Sequence, residues 1–207
     1  MRKIWFIPFL VIVAAVLFIS CQKEVSGEGI LPSPDDSPLL GTWKLVNNDI
    51  NAEVSQELSD DIGTISNIST LDYLTINNKG SLTFESDKIL SKQISFDIAD
   101  TIKSEIYVNG FFVEAFDTPV NASVPPATSS TNYMLIGKDS IYCPNGSFLQ
   151  VEGADSTQTV PTGFKFVIQD NRLVLTNQTN EEDESVEDGI TTTTKSQVTI
   201  VTTLEKQ

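Results

Sequence analysis

The feature that most constrains this chain is a succession of short apolar–polar alternations separated by tight-turn signals. The sharpest case is Asn109-Gly110, set between Thr101–Val108 and Phe111–Phe116. Asn-Gly accepts positive φ at both central positions of a two-residue turn, which matches the twist of antiparallel strands, so this stretch reads as a hairpin. Lys92–Ala99 alternates cleanly, with Ile94, Phe96 and Ile98 on one face and Gln93, Ser95 and Asp97 on the other. That is the period of a strand with one buried face. Leu71–Ile76 and Ser81–Phe84 flank Asn77-Asn78-Lys79-Gly80 and read as a second hairpin. Tyr133–Ile136 and Ser140–Cys143 bracket Gly137-Lys138-Asp139 as a third. Phe164, Phe166 and Ile168 alternate before Gln169-Asp170-Asn171-Arg172, and Leu173 and Leu175 after it. Thr191–Leu204 closes the series with Val198, Ile200, Thr202 and Leu204 on one face.

Three stretches between these runs read differently. Ala52–Ile62 carries Val54, Leu58 and Ile62 at a four-residue spacing with acids between them, which predicts one short amphipathic helix after the first strand. Ser55, Ser59 and Asp60-Asp61 are poor helix formers there. Pro119–Asn132 holds three prolines and many Ser and Thr, so it reads as a long connection. Glu181–Gly189 reads as a solvated acidic loop, and Pro144–Gly163 as polar and turn-rich with at most a short strand at Ser147–Val151. The expectation is an all-β, antiparallel domain of about eight to ten strands, a barrel or a sandwich. No glycine-rich phosphate loop leads into a helix, which disfavours a parallel α/β sheet.

Charge narrows the functional classes. The first 20 residues hold Arg2 and Lys3, two of the 13 basic side chains, and none of the 28 acidic ones, so the chain after them carries a net charge of −17. Such a surface repels phosphate backbones, which argues against nucleic acid as a partner. The absence of histidine removes the commonest general base and the commonest zinc ligand. A serine nucleophile would lack its histidine, and no Gly-x-Ser-x-Gly elbow occurs. The carboxylates Asp97 and Glu114 could serve acid–base chemistry only if they shared a cleft. The acids Glu181–Glu184 with Glu187 and Asp188 lack the alternating pattern and central glycine of a calcium loop. The reading is a non-enzymatic protein without metal or cofactor.

The N-terminus reads as an address. Arg2 and Lys3 precede Ile4–Ile19, 16 residues that are apolar apart from Pro8, which suits a secretory signal better than a permanent span. It ends Phe18-Ile19-Ser20-Cys21, which resembles the lipobox of bacterial lipoproteins, with Phe18 where leucine is usual. That resemblance implies cleavage of 1–20 and acylation of Cys21, hence attachment to the bacterial cell envelope through a lipid, each buried methylene contributing roughly 0.8 kcal/mol. Residues 21–38, with Ser26-Gly27-Glu28-Gly29 and Pro32, Pro34 and Pro38, read as a flexible tether. Gln22-Lys23-Glu24 looks like part of the segment that sends some Bacteroidetes lipoproteins to the cell surface, leaving either face of the outer membrane open.

Residues 39–207 form the remaining domain. Leu39-Leu40-Gly41-Thr42-Trp43-Lys44-Leu45 resembles the Gly-x-Trp opening of the lipocalin and calycin group, in the form found in small lipocalin-like lipoproteins of Bacteroidetes. Phe166-Val167-Ile168 to Asn171-Arg172-Leu173-Val174-Leu175 is similar to that family's late hairpin. The resemblance implies an up-and-down β-barrel in which Gly41 lets the first strand bend and Trp43 plugs the narrow end. In that family a basic side chain of the last strand lies across the indole. The only arginine after the leader, Arg172, lies in a hairpin turn, which leaves Lys206 or Lys195 for that place.

Two functions follow from different classes. An eight-stranded barrel encloses room for side chains or one small ligand. The inward set Tyr73, Phe84, Phe96, Tyr107, Phe112, Phe164 and Phe166 would then line a pocket for a small hydrophobic molecule, or simply fill the core. The alternative is a surface interaction module that binds protein or glycan through the long loops at 119–132 and 144–163.

Overall fold

A computed structural model describes residues 37–148 and 161–207. The leader, Cys21, the tether up to residue 36 and three of the five residues of the short strand expected at Ser147–Val151 lie outside the described residues. Ten strands follow in order: β1 Gly41–Ser59, β2 Thr64–Leu74, β3 Ile76–Phe84, β4 Lys88–Val108, β5 Phe111–Asn132, β6 Met134–Ile136, β7 Ser140–Cys143, β8 Thr162–Gln169, β9 Arg172–Glu187 and β10 Ile190–Lys206. Every pairing is antiparallel, and no helix occurs among the described residues.

The first and last strands pair along almost their whole length, from Trp43↔Lys206 to Ser59↔Thr191. From β10 the sheet continues through β9, β8, β7 and β6. On its other side β1 meets two strands in succession, β3 at residues 41–44 and β2 at residues 49–59. β4 meets the same two strands across the slot and then carries β5 on its far edge. At one end, here the base, the strands curl into a partly closed ring. Side chains rather than a ladder bridge the remaining seam: Ser129 Oγ donates to Phe148 O at 3.2 Å and Thr131 Oγ1 to Gly146 O at 3.0 Å. Away from the base, β9, β10, β1, β2, β4 and β5 run on together as a six-stranded sheet.

The structure corrects four expectations. Ala52–Ile62 is not a helix but the continuation of β1 and its turn. A four-residue spacing is also an even spacing, so Val54 and Leu58 share a face of a strand as readily as of a helix. β2 and β3 do not form a hairpin; they lie end to end in one slot. Lys44↔Ser81 and Asp49↔Leu74 leave two more residues on the β2–β3 side than on β1, an irregularity taken up by Asn77 (φ 54°) and Gly80 (φ 97°). A Cβ on Gly80 would stand 2.6 Å from the Gln93 carbonyl oxygen, so this close approach requires glycine.

Pro119–Asn132 is not a connection but the greater part of β5. β5 is an edge, where a missing N–H breaks no ladder bond, and Pro125-Pro126 fall in the register shift between Val124 and Ala127. Glu181–Glu187 is likewise strand, paired with β10 up to Ile190↔Glu187. The overlooked signal is Asp188-Gly189, with φ of 51° and 80°, the same two-residue turn as Asn109-Gly110 at 51° and 79°.

Candidate functional site

The base interior is filled. Trp43, Leu45, Leu82, Phe84, Ile89, Phe148, Phe164, Phe166, Leu173 and Leu204 belong to one buried cluster, closed below by Leu39. Trp43 Nε1 donates to Leu39 O at 2.7 Å, which satisfies the one polar atom of the indole. Lys206 supplies the cation over that ring, its Nζ 5.0 Å from the centroid, and its stem lies beside Gly41, with Cε 3.7 Å from where a Cβ would be. Lys195 instead pairs with Glu182 at 3.0 Å on the surface. Phe84 meets Tyr133 edge to face at 5.7 Å, and Phe148 lies 4.8 Å from Phe164. Cys143 is buried in the same cluster, and desolvation pushes its thiol up to about 12, so it acts as a small apolar side chain.

The seven aromatics expected to face inward therefore divide. Phe84, Phe164 and Phe166 join the base cluster. Tyr73 joins a second, smaller cluster with Ile50 and Ile98, where burial raises its hydroxyl pKa well above the usual range. Phe96 packs against both clusters. Tyr107 and Phe112 do not face inward. They are register partners of one another, stacked edge to face at 5.8 Å, on the outer face of the sheet. Lys88–Val108 is a single strand, and alternation along it puts Ile98, Ile102, Ser104 and Ile106 inside and Tyr107 outside.

Between the clusters sits a buried polar junction. Asn48 Oδ1 accepts from Thr202 Oγ1 at 2.8 Å, and the Asn48 backbone N–H donates to Thr75 Oγ1 at 2.8 Å. Asn78 closes the network by donating to Thr75 O at 2.8 Å. The Asn48 Nδ2 amide is buried without an acceptor, a donor held out of water.

The inner face changes character toward the far end, here the tip. Leu58 pairs with Ile65, Ile65 with Val108, and Val108 with Phe111, so these four side chains form one row on that face. Their exposures are 40%, 52%, 38% and 77%. The adjoining turns are tied to one another: Asn109 N donates to Thr64 O at 2.8 Å and Thr64 N to Asn109 Oδ1 at 2.9 Å. Asp60 Oδ1 accepts from the Ile62 and Gly63 N–H groups at 2.8 and 2.9 Å. The row thus stands on a fixed platform. Acid surrounds it: residues 53–66, 103–117 and 181–195 contain 13 acidic and two basic side chains.

The row was missed at the level of sequence because its members are split between two hairpins, β1–β2 and β4–β5, far apart in the chain. The available signal was that Leu58, Val108 and Phe111 each flank a turn, where exposed strand ends meet. Asp97 and Glu114 do not share a cleft. Asp97 pairs with Ser123 and Glu114 with Ile106, two rungs nine residues apart along either strand, about 30 Å. Hydrogen bonds from Ser123 and Asn77 hold the Asp97 carboxyl below its usual range. Among the described residues no group of three potential metal ligands converges. No family model matches the chain, and no curated protein or solved structure matches it either.

Proposed function

We propose that this protein is a non-enzymatic, lipid-anchored interaction module of the bacterial cell envelope, a lipocalin-like barrel whose base is structural and whose inner sheet face near the tip binds another protein. The observation that carries this reading is the contrast along one continuous face. At the base it is filled by Trp43, Phe84 and Phe148, whereas at the tip Leu58, Ile65, Val108 and Phe111 stand in water as a row. Side chains leave the base little room for a ligand, and apolar rows framed by charge are characteristic of protein contacts. The anchor remains Cys21, and Cys21→Ser should release the protein from membranes; a variant that stays membrane-bound removes the lipoprotein part of the proposal.

A photoreactive amino acid placed at Phe111 or Val108 in the full chain tests the binding face in cells. Cross-links to another protein from these positions, and not from Val167 on the base exterior, are the expected result. Cross-links only within the chain, or equally from Val167, would count against it. A second reading rests on Asn48: its unpartnered buried amide could hold an acceptor of a small hydrophobic ligand between the two clusters. Native mass spectrometry of the tether-free domain with extracted membrane lipids distinguishes the two, because only this second reading expects a retained small molecule lost in Asn48→Ala.

A further inference from the structure

We infer that the free edge of β5 at residues 111–118 takes up an extended strand of the partner, one that alternates apolar and cationic side chains. The inference rests on the protein-binding reading above and adds the mode of binding and the partner's chemistry.

The backbone geometry comes first. Asn109 N donates to Thr64 O on the β2 side, and N–H and C=O directions alternate along a strand. Odd-numbered residues of β4 therefore bond toward β2, and Ile102, Ser104 and Ile106 toward β5. Their register partners Thr118, Phe116 and Glu114 use their backbone groups on β4. The N–H and C=O groups of Ala115 and Asp117 consequently point away from the sheet. Pro119 has the same outward phase opposite Thr101, which is why its missing N–H is tolerated.

Sheet edges usually carry lysine, proline or a bulge that discourages pairing. β5 contains no lysine or arginine. Its prolines at 119, 125 and 126 all lie toward the base; the one such guard within 111–118 is the bulge at Val113, opposite the Ile106–Tyr107 step, and 114–118 beyond it keep an unbroken register with β4. Residues 111–118 present Phe111 and Phe116 on the inner face, continuing the apolar row, and Phe112 on the outer face. Such an edge accepts strand addition, with main-chain bonds giving affinity and alternate side chains giving selectivity.

Charge selects the occupant. Glu114 lies on the inner face, and Asp117 and Glu105 on the outer, all beside the edge. With a net charge of −17 beyond the leader, a second copy would bring like charge against like. An added strand with lysine or arginine at alternate positions meets these carboxylates, while its apolar positions extend the Phe111–Val108 row.

The probe is a blocked octapeptide of alternating valine and lysine, titrated by fluorescence anisotropy into the Cys21→Ser chain, with a valine–glutamate octapeptide as control. The lysine peptide should bind, weaken with added salt, and protect the Ala115 and Asp117 amides from hydrogen exchange. Ala115→Pro/Asp117→Pro removes the two outward donors and leaves the β4 bonds; it should weaken binding by about 10-fold or more at an unchanged thermal midpoint. Glu114→Lys/Asp117→Lys should weaken it by a similar factor. The inference is overturned by equal binding of the glutamate peptide, by no binding at millimolar peptide, or by binding indifferent to both prolines. Binding that ignores the prolines yet disappears in Ile65→Ser/Val108→Ser leaves the binding face standing and removes only strand addition. Concentration-dependent dimerisation abolished by the prolines would give the edge to a second copy instead.

Discussion

The base and the tip are built from the same strands and differ in what the inner face meets. β1 runs from Trp43, buried, to Leu58, exposed; β4 from Ile89 to Val108; β10 from Leu204 back to Ile190. Apart from bulges in β1 and β4, these strands are paired at both ends, so hydrogen bonding does not distinguish the ends. Closure does. Where β6, β7 and β8 curl the sheet into its partly closed ring, apolar side chains face one another and leave water. Where only six strands remain, equally apolar residues have nothing opposite them. Stability is therefore concentrated at the base, and the tip is where apolar surface is free to be used.

The largest effect expected from this contrast is at Trp43. Trp43→Ala should cost about 3–5 kcal/mol in urea unfolding, whereas Phe111→Ala should stay within about 0.5 kcal/mol of wild type. Comparable losses at both positions would mean that the tip is as much core as the base. Proline scanning sharpens the comparison within the tip itself. Ile68→Pro, in a strand flanked by β1 and β4, should cost about 3 kcal/mol or more, while Ala115→Pro on the free edge should be close to neutral. A large loss at Ala115 would show the edge to be covered.

A smaller effect concerns Cys143. Burial raises its pKa from 9.0 to about 12, so the folded chain keeps a proton that the unfolded chain releases. Its contribution is complete below pH 9 and fades as pH rises toward 12, the loss amounting to about 1 kcal/mol by pH 10. The stability gap between wild type and Cys143→Ala should narrow accordingly between pH 7 and 10, and a gap independent of pH would place the thiol in water. Smallest is Lys206→Met. The ammonium over Trp43 is exposed at the chain end, so its loss should lower stability by about 0.5–1 kcal/mol without disturbing the tip. Cross-linking from Phe111 should be unchanged in that variant.

What could be read from the sequence follows the same division. Strong local signals with one physical meaning were legible: the Asn109-Gly110 turn, the alternation at Ile94–Ile98, and the closing strand from Val198 to Leu204. Trp43 with a lysine from the last strand was legible too, with Lys206 and Lys195 left as alternatives. Errors arose where one pattern serves two structures. Val54 and Leu58 fit a helix or a strand, and Asn77–Gly80 supplies positive φ to a hairpin or to a kink between collinear strands. Prolines speak against a strand only if the strand is central, and nothing local in Pro119–Asn132 marks it as an edge. An inward Tyr107 requires the phase to reset between Lys92–Ala99 and Thr101–Val108; in the unbroken β4 it faces out. The apolar row required knowing which hairpin ends stand side by side, information that resides in the register.

The length of β1 has one more consequence. Its 19 residues, at about 3.3 Å each, reach about 60 Å. The described chain enters at Ser37–Leu39, beneath Trp43, so a lipid on Cys21 would hold the molecule by its base. With the proposed anchor, the row at Leu58 and Phe111 would stand at the far end of the arm from the point of attachment. Contact with a partner would be decided by reach as well as affinity: lengthening the tether displaces the whole arm, whereas shortening the paired hairpins brings the binding row back toward the membrane.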